Sequence, residues 1–263
     1  NNFEKVLIGL SGGIDSALTA AIAVDALGSE NVIGVAMPSK YNSEESLLDA
    51  KSLAENLKIE FKIIQIEDIV ENFRNTLTGV TDEELGQTTD ENIQSRVRGN
   101  ILMALSNQTG AMVVSTGNKS EMAVGYSTLY GDLAGGFALL KDLYKTEVYN
   151  LSNFRNTISN VIPQNTIDKE PSAELRPDQY DKDSLPEYDL LDKILHLYIE
   201  EDSSSEKIIS TGIDENIVYD VLSKVDRNEY KRKQVAPGVK LTEKAFGKDR
   251  RMPITNTYIR ERD

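Results

Sequence analysis

A short segment near the start of the chain combines glycines, hydroxyls and a carboxylate at a spacing that suits phosphate chemistry. It reads Gly9-Leu10-Ser11-Gly12-Gly13-Ile14-Asp15-Ser16 and lies between an apolar run and an alanine-rich stretch. Glycines let the backbone bring N–H groups close to a phosphate, and a following helix directs its positive end to the same place. Ser11 and Ser16 add hydroxyl donors, and Asp15 adds a carboxylate suited to magnesium. The Gly-Lys-[Ser/Thr] ending of the Walker motif is absent.

Other groups that suit nucleotide chemistry are spread over the rest of the chain. Thr116-Gly117-Asn118-Lys119-Ser120-Glu121 follows an apolar run, and isolated candidates occur at Asn92, Lys145 and Lys231. Each has an ordinary alternative. Glu121 could complement a helix dipole and Asn92 could cap a helix, while Lys145 and Lys231 could be surface lysines.

These groups need a scaffold, and the first half of the chain predicts one. Short apolar runs, typical of strands buried on both faces, alternate with segments of helical periodicity. We predict strands at 6–10, 32–37, 61–66 and 111–116, helices at 17–27, 44–57, 68–77 and 91–108, and an irregular stretch at 79–90. This alternation predicts an α/β fold with a doubly wound, mainly parallel sheet and helices on both faces. Ligands bind such sheets beyond the carboxyl ends of the strands, where the loops at 11–16 and 117–121 fall.

The second half of the chain changes character. Four prolines, at 163, 171, 177 and 186, interrupt a polar stretch from about residue 160 to 186, so we predict no single regular element there. Helical periodicity returns at 188–200, 204–210 and 214–225. We therefore predict one domain over 1–263, with a C-terminal helical subdomain at about 187–263. The polar segments 39–46 and 167–186 flank residues 9–16, the predicted phosphate loop, and are predicted to act as lids.

Composition excludes several functions. The 263 residues carry 29 Lys and Arg against 43 Asp and Glu, for a net charge of −14 at pH 7. Such a surface repels nucleic-acid phosphate, so we expect no nucleic-acid partner. The chain has no cysteine, which excludes thiolate metal sites and a cysteine nucleophile within it. No apolar run approaches the roughly 18 residues of a membrane span and no charged leader precedes an apolar region, so we expect a cytoplasmic protein without membrane contact.

The Ser-Gly-Gly-x-Asp-Ser run at 11–16 resembles the pyrophosphate loop of the N-type ATP pyrophosphatases. These enzymes activate a carboxylate or carbonyl oxygen with AMP and release pyrophosphate. The group includes NAD synthetases, GMP synthetases, asparagine synthetases and several tRNA-modifying enzymes. The resemblance implies a fold like that of the adenine-nucleotide α-hydrolases, with ATP as co-substrate.

Further stretches follow one another in the order found in NAD synthetases. They are Asn92 to Asn100, Thr116 to Glu121, Tyr130-Gly131-Asp132 with Lys145 downstream, and Lys169 to Leu175. The tail, around Glu229 to Arg232 and Phe246 to Arg251, looks most like the synthetase domain of glutamine-dependent NAD synthetases. The resemblance implies a ligase that adenylates the nicotinate carboxylate of deamido-NAD. Amidation with ammonia would then give NAD, AMP and pyrophosphate.

The resemblance also assigns individual residues. The implied ATP contacts are Gly9, Leu10, Ser11, Gly12, Gly13, Ile14, Asp15, Ser16, Thr116, Lys145 and Ser172. Asp15 and Lys145 would be catalytic, and Asp15 and Glu121 would hold Mg²⁺. The implied deamido-NAD contacts are Asn92, Arg96, Glu121 and Lys231. Ammonia-only enzymes place a lysine before Tyr-Gly-Asp, whereas this chain has Leu129, so a lysine contact is not carried over.

The resemblance further implies a homodimer with a shared substrate site, and it leaves open a glutaminase domain upstream of Asn1. The nearest alternative is another adenylating ATP pyrophosphatase, such as the GMP synthetase type, which the stretches at 116–121 and 169–175 disfavour. The acidic surface disfavours a tRNA-modifying relative. A nucleotide-binding regulatory module without catalysis is disfavoured by the presence of Asp15, Glu121 and Lys145.

Overall fold

A parallel sheet forms the centre of the molecule. The computed structural model describes residues 2–81 and 85–254. Within these residues five strands pair in parallel, in the order β3-β2-β1-β4-β5. Their bounds are β1 Val6–Gly9, β2 Val32–Ala36, β3 Glu60–Ile63, β4 Met112–Ser115 and β5 Phe137–Ala138.

The central strand β1 determines where a ligand can enter. Its neighbouring residues Leu7 and Ile8 are completely buried although they face opposite sides of the sheet, as a strand covered on both faces requires. Val6 pairs with Val32 of β2 on one side and with Met112 of β4 on the other. The strand order therefore reverses between β1 and β4, and this position is the switch point of the sheet. The loops after these two strands diverge there and leave a crevice at the carboxyl edge of the sheet.

Helices follow most of the strands and continue beyond the sheet. In chain order they are α1 Ile14–Leu27, α2 Glu44–Leu57, α3 Glu67–Thr81, α4 Gln87–Thr109, α5 Lys119–Val124, α6 Lys145–Ile158, α7 Gln164–Asp168, α8 Tyr188–Leu195, α9 Ser205–Ile209, α10 Glu215–Arg227 and α11 Glu229–Arg232. A π-helical turn, His196–Glu200, continues α8. No helix among the residues with described coordinates is both long and apolar enough to cross a membrane.

The two faces of the sheet bury separate apolar clusters. Helices α1, α2, α6 and α7 cover one face, where Ile8 of β1 packs with Leu18 of α1 and Leu53 of α2. Helices α3 and α4 cover the other, where Leu7 packs with Val70 and Val97. A third cluster unites α8, α9 and α10 with α5, which follows β4. The C-terminal helices thus pack on an element that starts at the edge of the sheet.

The structure confirms the predicted α/β class, the parallel sheet and the C-terminal helical region. Two local predictions about helix ends also hold. Ser43 caps α2, since its hydroxyl accepts a hydrogen bond from the Ser46 N–H. Gly28 ends α1 with a φ of 84°, which favours glycine. The domain and subdomain limits, which also include residues outside those described, stay a prediction.

Several element boundaries were wrong. The stretch 79–90 is not irregular throughout, because α3 extends to Thr81 and α4 begins at Gln87. Arg74 of α3 pairs with Asp90 of α4, with 2.5 Å between Nε and Oδ1, so a tertiary contact supports the added helical turn. The third strand ends at Ile63, three residues before the predicted end. The proline-rich stretch contains α7 directly after Pro163, where proline is compatible with a helix start.

Candidate active site

The phosphate loop connects β1 to α1 at the switch point, and hydrogen bonds within it fix its shape. The Ser16 hydroxyl donates to the Gly13 carbonyl at 2.9 Å, and the Gly13 N–H donates to the Ser11 hydroxyl at 3.1 Å. Gly12 has a φ of 82°, and a Cβ there would lie 2.2 Å from the Ser46 carbonyl oxygen. Only glycine fits this position, because the first turn of α2 lies directly against the loop.

A second loop, after β4, is tied to the first through Asn118. This side chain is fully buried and caps α5 by accepting the Glu121 N–H at 2.9 Å. Its amide nitrogen donates to Asp15 Oδ1 at 2.8 Å. Glu121 completes the capping box by accepting the Asn118 N–H at 3.3 Å. The same asparagine therefore orients the carboxylates of both loops.

Lys145, the first residue of α6, lies between these carboxylates. Its Nζ is 2.5 Å from Asp15 Oδ2 and 3.4 Å from Glu121 Oε1. Burial lowers the pKa of Lys145, but the charges of Asp15 and Glu121 outweigh burial and raise this pKa above its usual range. Burial and the charge of Asp15 raise the pKa of Glu121, although Lys145 acts against this. Two carboxylates thus share one buried cation.

The three side chains open onto one cavity with a volume of about 310 Å³. The implied ATP contacts on its wall are Gly9, Leu10, Ser11, Gly13, Ile14, Asp15, Ser16, Thr116, Lys145 and Ser172. Gly12 is the exception, since it faces α2. Residues 9–16 and Thr116 meet at the switch point because they follow β1 and β4, and Lys145 of α6 and Ser172 after α7 reach the same cavity from later in the chain.

Three of the implied substrate contacts lie elsewhere. Asn92, Arg96 and Lys231 do not line the cavity and instead contact the segment that follows α5. Lys231 Nζ donates to the carbonyls of Gly125 and Ser127 at 2.6 and 2.8 Å. Arg96 Nε donates to the Leu129 carbonyl at 3.2 Å, and Asn92 accepts the Thr128 hydroxyl at 2.8 Å. These three side chains converge on residues 125–129, and Glu121 alone of the four borders the cavity.

Lys119 belongs to the second loop but does not face the cavity. It is completely buried and forms ion pairs with Asp142, at 2.9 Å, and with Glu200. Its Nζ also lies 2.6 Å from the Thr242 hydroxyl. The lysine therefore fastens the start of α5 to the C-terminal region. Sequence reasoning gave no signal for this role, because the partners lie between 23 and 123 positions away along the chain.

We expect Lys119→Met to destabilise the fold. The methionine would leave two buried carboxylates without a cation, a change that typically costs about 3–5 kcal/mol. Thermal unfolding should show a clearly lower Tm. The matched control is Lys244→Met, which removes a lysine paired with the exposed Asp202 and should leave Tm close to that of the parent. Equal Tm values for Lys119→Met and the parent would contradict the role given to Lys119.

Asp181 is a second residue that sequence reasoning missed. It is buried on the cavity wall, where one carboxylate oxygen accepts the Tyr188 hydroxyl at 2.7 Å. The other oxygen has no hydrogen-bond partner among the described residues. Asp181 lies in the proline-rich stretch, where no pattern singled it out from other polar residues.

A divalent cation fits the carboxylate pair. Asp15 and Glu121 offer oxygen ligands, which Mg²⁺ prefers, and a bound cation would favour the ionised form of Glu121, whose pKa is raised by burial and by Asp15. Within residues 2–81 and 85–254, no group of three or more His, Cys, Asp or Glu forms a complete metal cage. In most Mg²⁺ sites of nucleotide enzymes the protein supplies one or two carboxylates, and substrate phosphates and water complete the coordination.

The fold and the cavity place this chain in the class of doubly wound α/β proteins with a phosphate loop at the switch point. A family model described as NAD synthase matches residues 1–235. The chain belongs to the NAD synthase family.

Individual relatives agree with this assignment. The chain is 56% identical over 260 residues to the glutamine-dependent NAD(+) synthetase of Thermotoga maritima, covering 98% of this chain and 45% of that protein. The corresponding protein of Aquifex aeolicus is 55% identical, with 99% and 46% covered. The chain therefore spans a little under half the length of these relatives.

Solved structures give the same picture. The glutamine-dependent NAD+ synthetase of Acinetobacter baumannii, in complex with ADP, is 49% identical, with a TM-score of 0.63 over 96% of this chain and 46% of that chain. The NMN synthetase of Francisella tularensis is 29% identical, with a TM-score of 0.75 over 92% of this chain and 90% of that chain.

Proposed function

We propose that this chain catalyses the ATP-dependent amidation of deamido-NAD to NAD. The observation that carries the proposal is the Asp15–Lys145–Glu121 group beside the phosphate loop, in a chain of the NAD synthase family. An ATP pyrophosphatase needs charge stabilisation at the α-phosphate and no protein nucleophile. The absence of cysteine agrees with that requirement.

The proposed reaction has two steps. A nicotinate carboxylate oxygen attacks the α-phosphorus of ATP, the bond from that phosphorus to the bridging oxygen breaks, and pyrophosphate leaves. Ammonia then forms a C–N bond with the acyl carbon while the C–O bond to AMP breaks, and one proton is released. Negative charge grows on phosphate oxygens in the first step, so Lys145 and the N–H groups of the phosphate loop supply electrostatic stabilisation.

The remaining residues take positioning roles in this proposal. Asp15 and Glu121 would hold Mg²⁺, which would neutralise phosphate charge. Thr116 and Ser172 both border the cavity and would contact the nucleotide. Asn92, Arg96, Glu121 and Lys231 are proposed to contact deamido-NAD. Because three of these four hold residues 125–129, substrate binding would displace or reuse contacts that now stabilise that segment.

The wider setting also belongs to the proposal. We propose one synthetase unit over 1–263 that forms a homodimer, and a glutaminase partner elsewhere in the native protein, as the greater length and the names of the relatives suggest. A cytoplasmic location and the lack of a nucleic-acid partner stay predictions from composition.

A substrate panel tests the proposed function. Pyrophosphate release is measured with ATP, Mg²⁺ and ammonium in the presence of deamido-NAD, nicotinate mononucleotide or xanthosine monophosphate. We expect release and amide product with deamido-NAD. Preference for nicotinate mononucleotide would favour the activity named for the Francisella relative, and preference for xanthosine monophosphate would favour the GMP synthetase type. Release with none of the three would reject an adenylating ligase.

We expect Asp15→Asn to lower the turnover number by at least about tenfold, because a charged ligand of the phosphate-bound cation is lost. The substitution keeps the shape of the side chain, so the fold should persist. Asp25→Asn on α1 is the matched control, since it removes an exposed carboxylate that pairs with Arg155. Turnover close to that of the parent at saturating magnesium would remove Asp15 from the metal site.

A further inference from the structure

Glu174 connects two segments that lie far apart in the sequence. Its Oε1 is 2.7 Å from the Ser46 hydroxyl and 2.9 Å from the Ser43 hydroxyl, and its Oε2 accepts the Asn42 amide at 2.9 Å. Its backbone has a φ of 48°, in the left-handed region. That conformation costs a residue other than glycine about 1–2 kcal/mol. The side-chain contacts must outweigh this cost.

One partner of Glu174, Ser46, packs directly against the phosphate loop. Ser46 is the residue whose carbonyl excludes a Cβ at Gly12. Lys169 holds the same turn, since its Nζ donates to the Ser46 hydroxyl at 2.8 Å and pairs with Asp49 at 3.2 Å. The segment 169–174 therefore forms hydrogen bonds and an ion pair with the start of α2, where α2 contacts the phosphate loop.

The same segment carries a residue of the nucleotide cavity. The Ser172 hydroxyl accepts the Glu174 N–H at 3.1 Å and donates to the Gln179 carbonyl at 2.5 Å. Ser172 borders the cavity together with Gly13 and Lys145. Any movement of Glu174 away from α2 would therefore move Ser172 as well.

A third connection leads to α4. Asn42, which donates to Glu174, also accepts a hydrogen bond from Arg98 at 2.9 Å. Burial lowers the pKa of Arg98 to about 10, and the charge of Glu174 acts in the opposite direction. Glu174 thus helps to neutralise a buried cation on the helix that bears Asn92 and Arg96. The carboxylate joins the phosphate loop, the Ser172 segment and the helix of the proposed substrate contacts.

We propose that Glu174 is a positioning residue for ATP binding, which couples the Ser172 segment to the phosphate loop and to α4. The inference rests on the proposed function for the identity of the nucleotide reaction. Among the described residues its carboxylate is held by hydrogen bonds to Asn42, Ser43 and Ser46, and the residue borders the cavity. Its effect should therefore fall on nucleotide affinity through the placement of Ser172 and α2.

The test uses Glu174→Gln in the 263-residue chain. Glutamine removes the charge and replaces one acceptor oxygen by an NH₂ donor, which cannot accept from Asn42 or the serines. We expect the KM for ATP to rise by about tenfold or more, with a smaller change in the KM for deamido-NAD. Hydrogen exchange should accelerate in both 42–49 and 169–181. The matched control is Asp178→Asn, which removes an exposed carboxylate from the same segment and should change the KM for ATP by less than about twofold.

Two results would overturn the proposal. One is a KM for ATP and exchange rates equal to those of the parent. The other is a lower Tm with an unchanged KM for ATP, which is what a purely structural role predicts. If Glu174→Gln does not fold, Ser43→Ala provides a second test. It removes the Ser43 hydroxyl that donates to Glu174, and it should also raise the KM for ATP. If Glu174→Gln does fold, a double-mutant cycle with Ser43→Ala should show non-additive effects on the KM for ATP.

A binding measurement separates this inference from the proposed function. Calorimetry with an ATP analogue that has a methylene bridge between the α- and β-phosphates needs no turnover. If the parent binds the analogue but amidates no substrate, the proposed function fails, and weaker binding by Glu174→Gln would still support the coupling. If the parent catalyses the reaction and the parent and Glu174→Gln bind the analogue equally well, the proposed coupling is wrong and the proposed function stands.

Discussion

Lys145→Met is expected to lower the turnover number by on the order of 10²- to 10³-fold, the usual effect of removing a group that stabilises charge in a transition state. The lysine ammonium is 2.5 Å from Asp15 and 3.4 Å from Glu121, on the cavity wall beside the phosphate loop. Methionine has a similar length but no charge. The two carboxylates would then face the incoming phosphates without the ammonium charge between them, so the affinity for ATP should fall as well.

The loss of activity must be separated from a loss of fold, because breaking a buried ion pair typically costs about 3–5 kcal/mol. The double variant Asp15→Asn with Lys145→Met removes one charge of each sign. It should recover most of the lost Tm but none of the lost turnover. Lys207→Met, at an exposed lysine, controls for the substitution itself. Turnover of Lys145→Met within about tenfold of the parent would contradict a catalytic role for this residue.

The parts of the fold that were predicted correctly are those with strong local signals. Val6–Gly9 is continuously apolar, and the glycines that follow it leave few alternatives to a turn before α1. Ser43 marks a helix start because its hydroxyl can cap the first turn, and Gly28 marks a helix end because a residue without a Cβ tolerates a positive φ. In these places local sequence and tertiary structure agree.

The missed elements depend on tertiary contacts. β5 has two residues and exists because it pairs with β4. α6 was not predicted, and its buried positions include the polar residues Lys145 and Ser152, so its inner face lacks an apolar stripe. The extra turn at the start of α4 carries Asp90, which pairs with Arg74. A short stretch of sequence does not show which distant residues will pair with it.

The same distinction applies to the candidate site. The motifs containing Asp15 and Glu121 were predicted to meet at one edge of the sheet, and they do so because the strand order places β1 beside β4. The resemblance assigned Lys145 to ATP, and this residue does border the cavity, but no motif indicated that Lys119 pairs with Asp142 away from the cavity. The motifs also missed Glu174 as a link to α2, since its partners lie 128 to 132 positions earlier. Contacts between distant segments decide which of several similar charged side chains border the cavity.

The 263-residue chain is expected to make NAD from deamido-NAD, ATP and ammonium, and to make none from glutamine. Releasing ammonia from an amide at neutral pH calls for a strong nucleophile, for which a cysteine thiolate is well suited. This chain contains no cysteine. Its only histidine, His196, is exposed and contacts Glu201, which is itself exposed, whereas the histidine of a Ser–His–Asp triad is oriented by a buried carboxylate. The proposed amidation step itself needs only ammonia at the acyl carbon.

Two assays side by side decide the question of the nitrogen source. One supplies ammonium chloride and the other supplies glutamine freed of ammonia, with NAD measured as the product in both. A third arm adds a separate glutaminase to the glutamine reaction and should restore synthesis, because it supplies ammonia to a chain that lacks only that step. NAD formed from glutamine alone would show that a nucleophile other than cysteine acts within these 263 residues. Failure with ammonium as well would mean that the longer relatives contribute more than nitrogen to the synthetase reaction, and the proposed function of this chain by itself would have to be withdrawn.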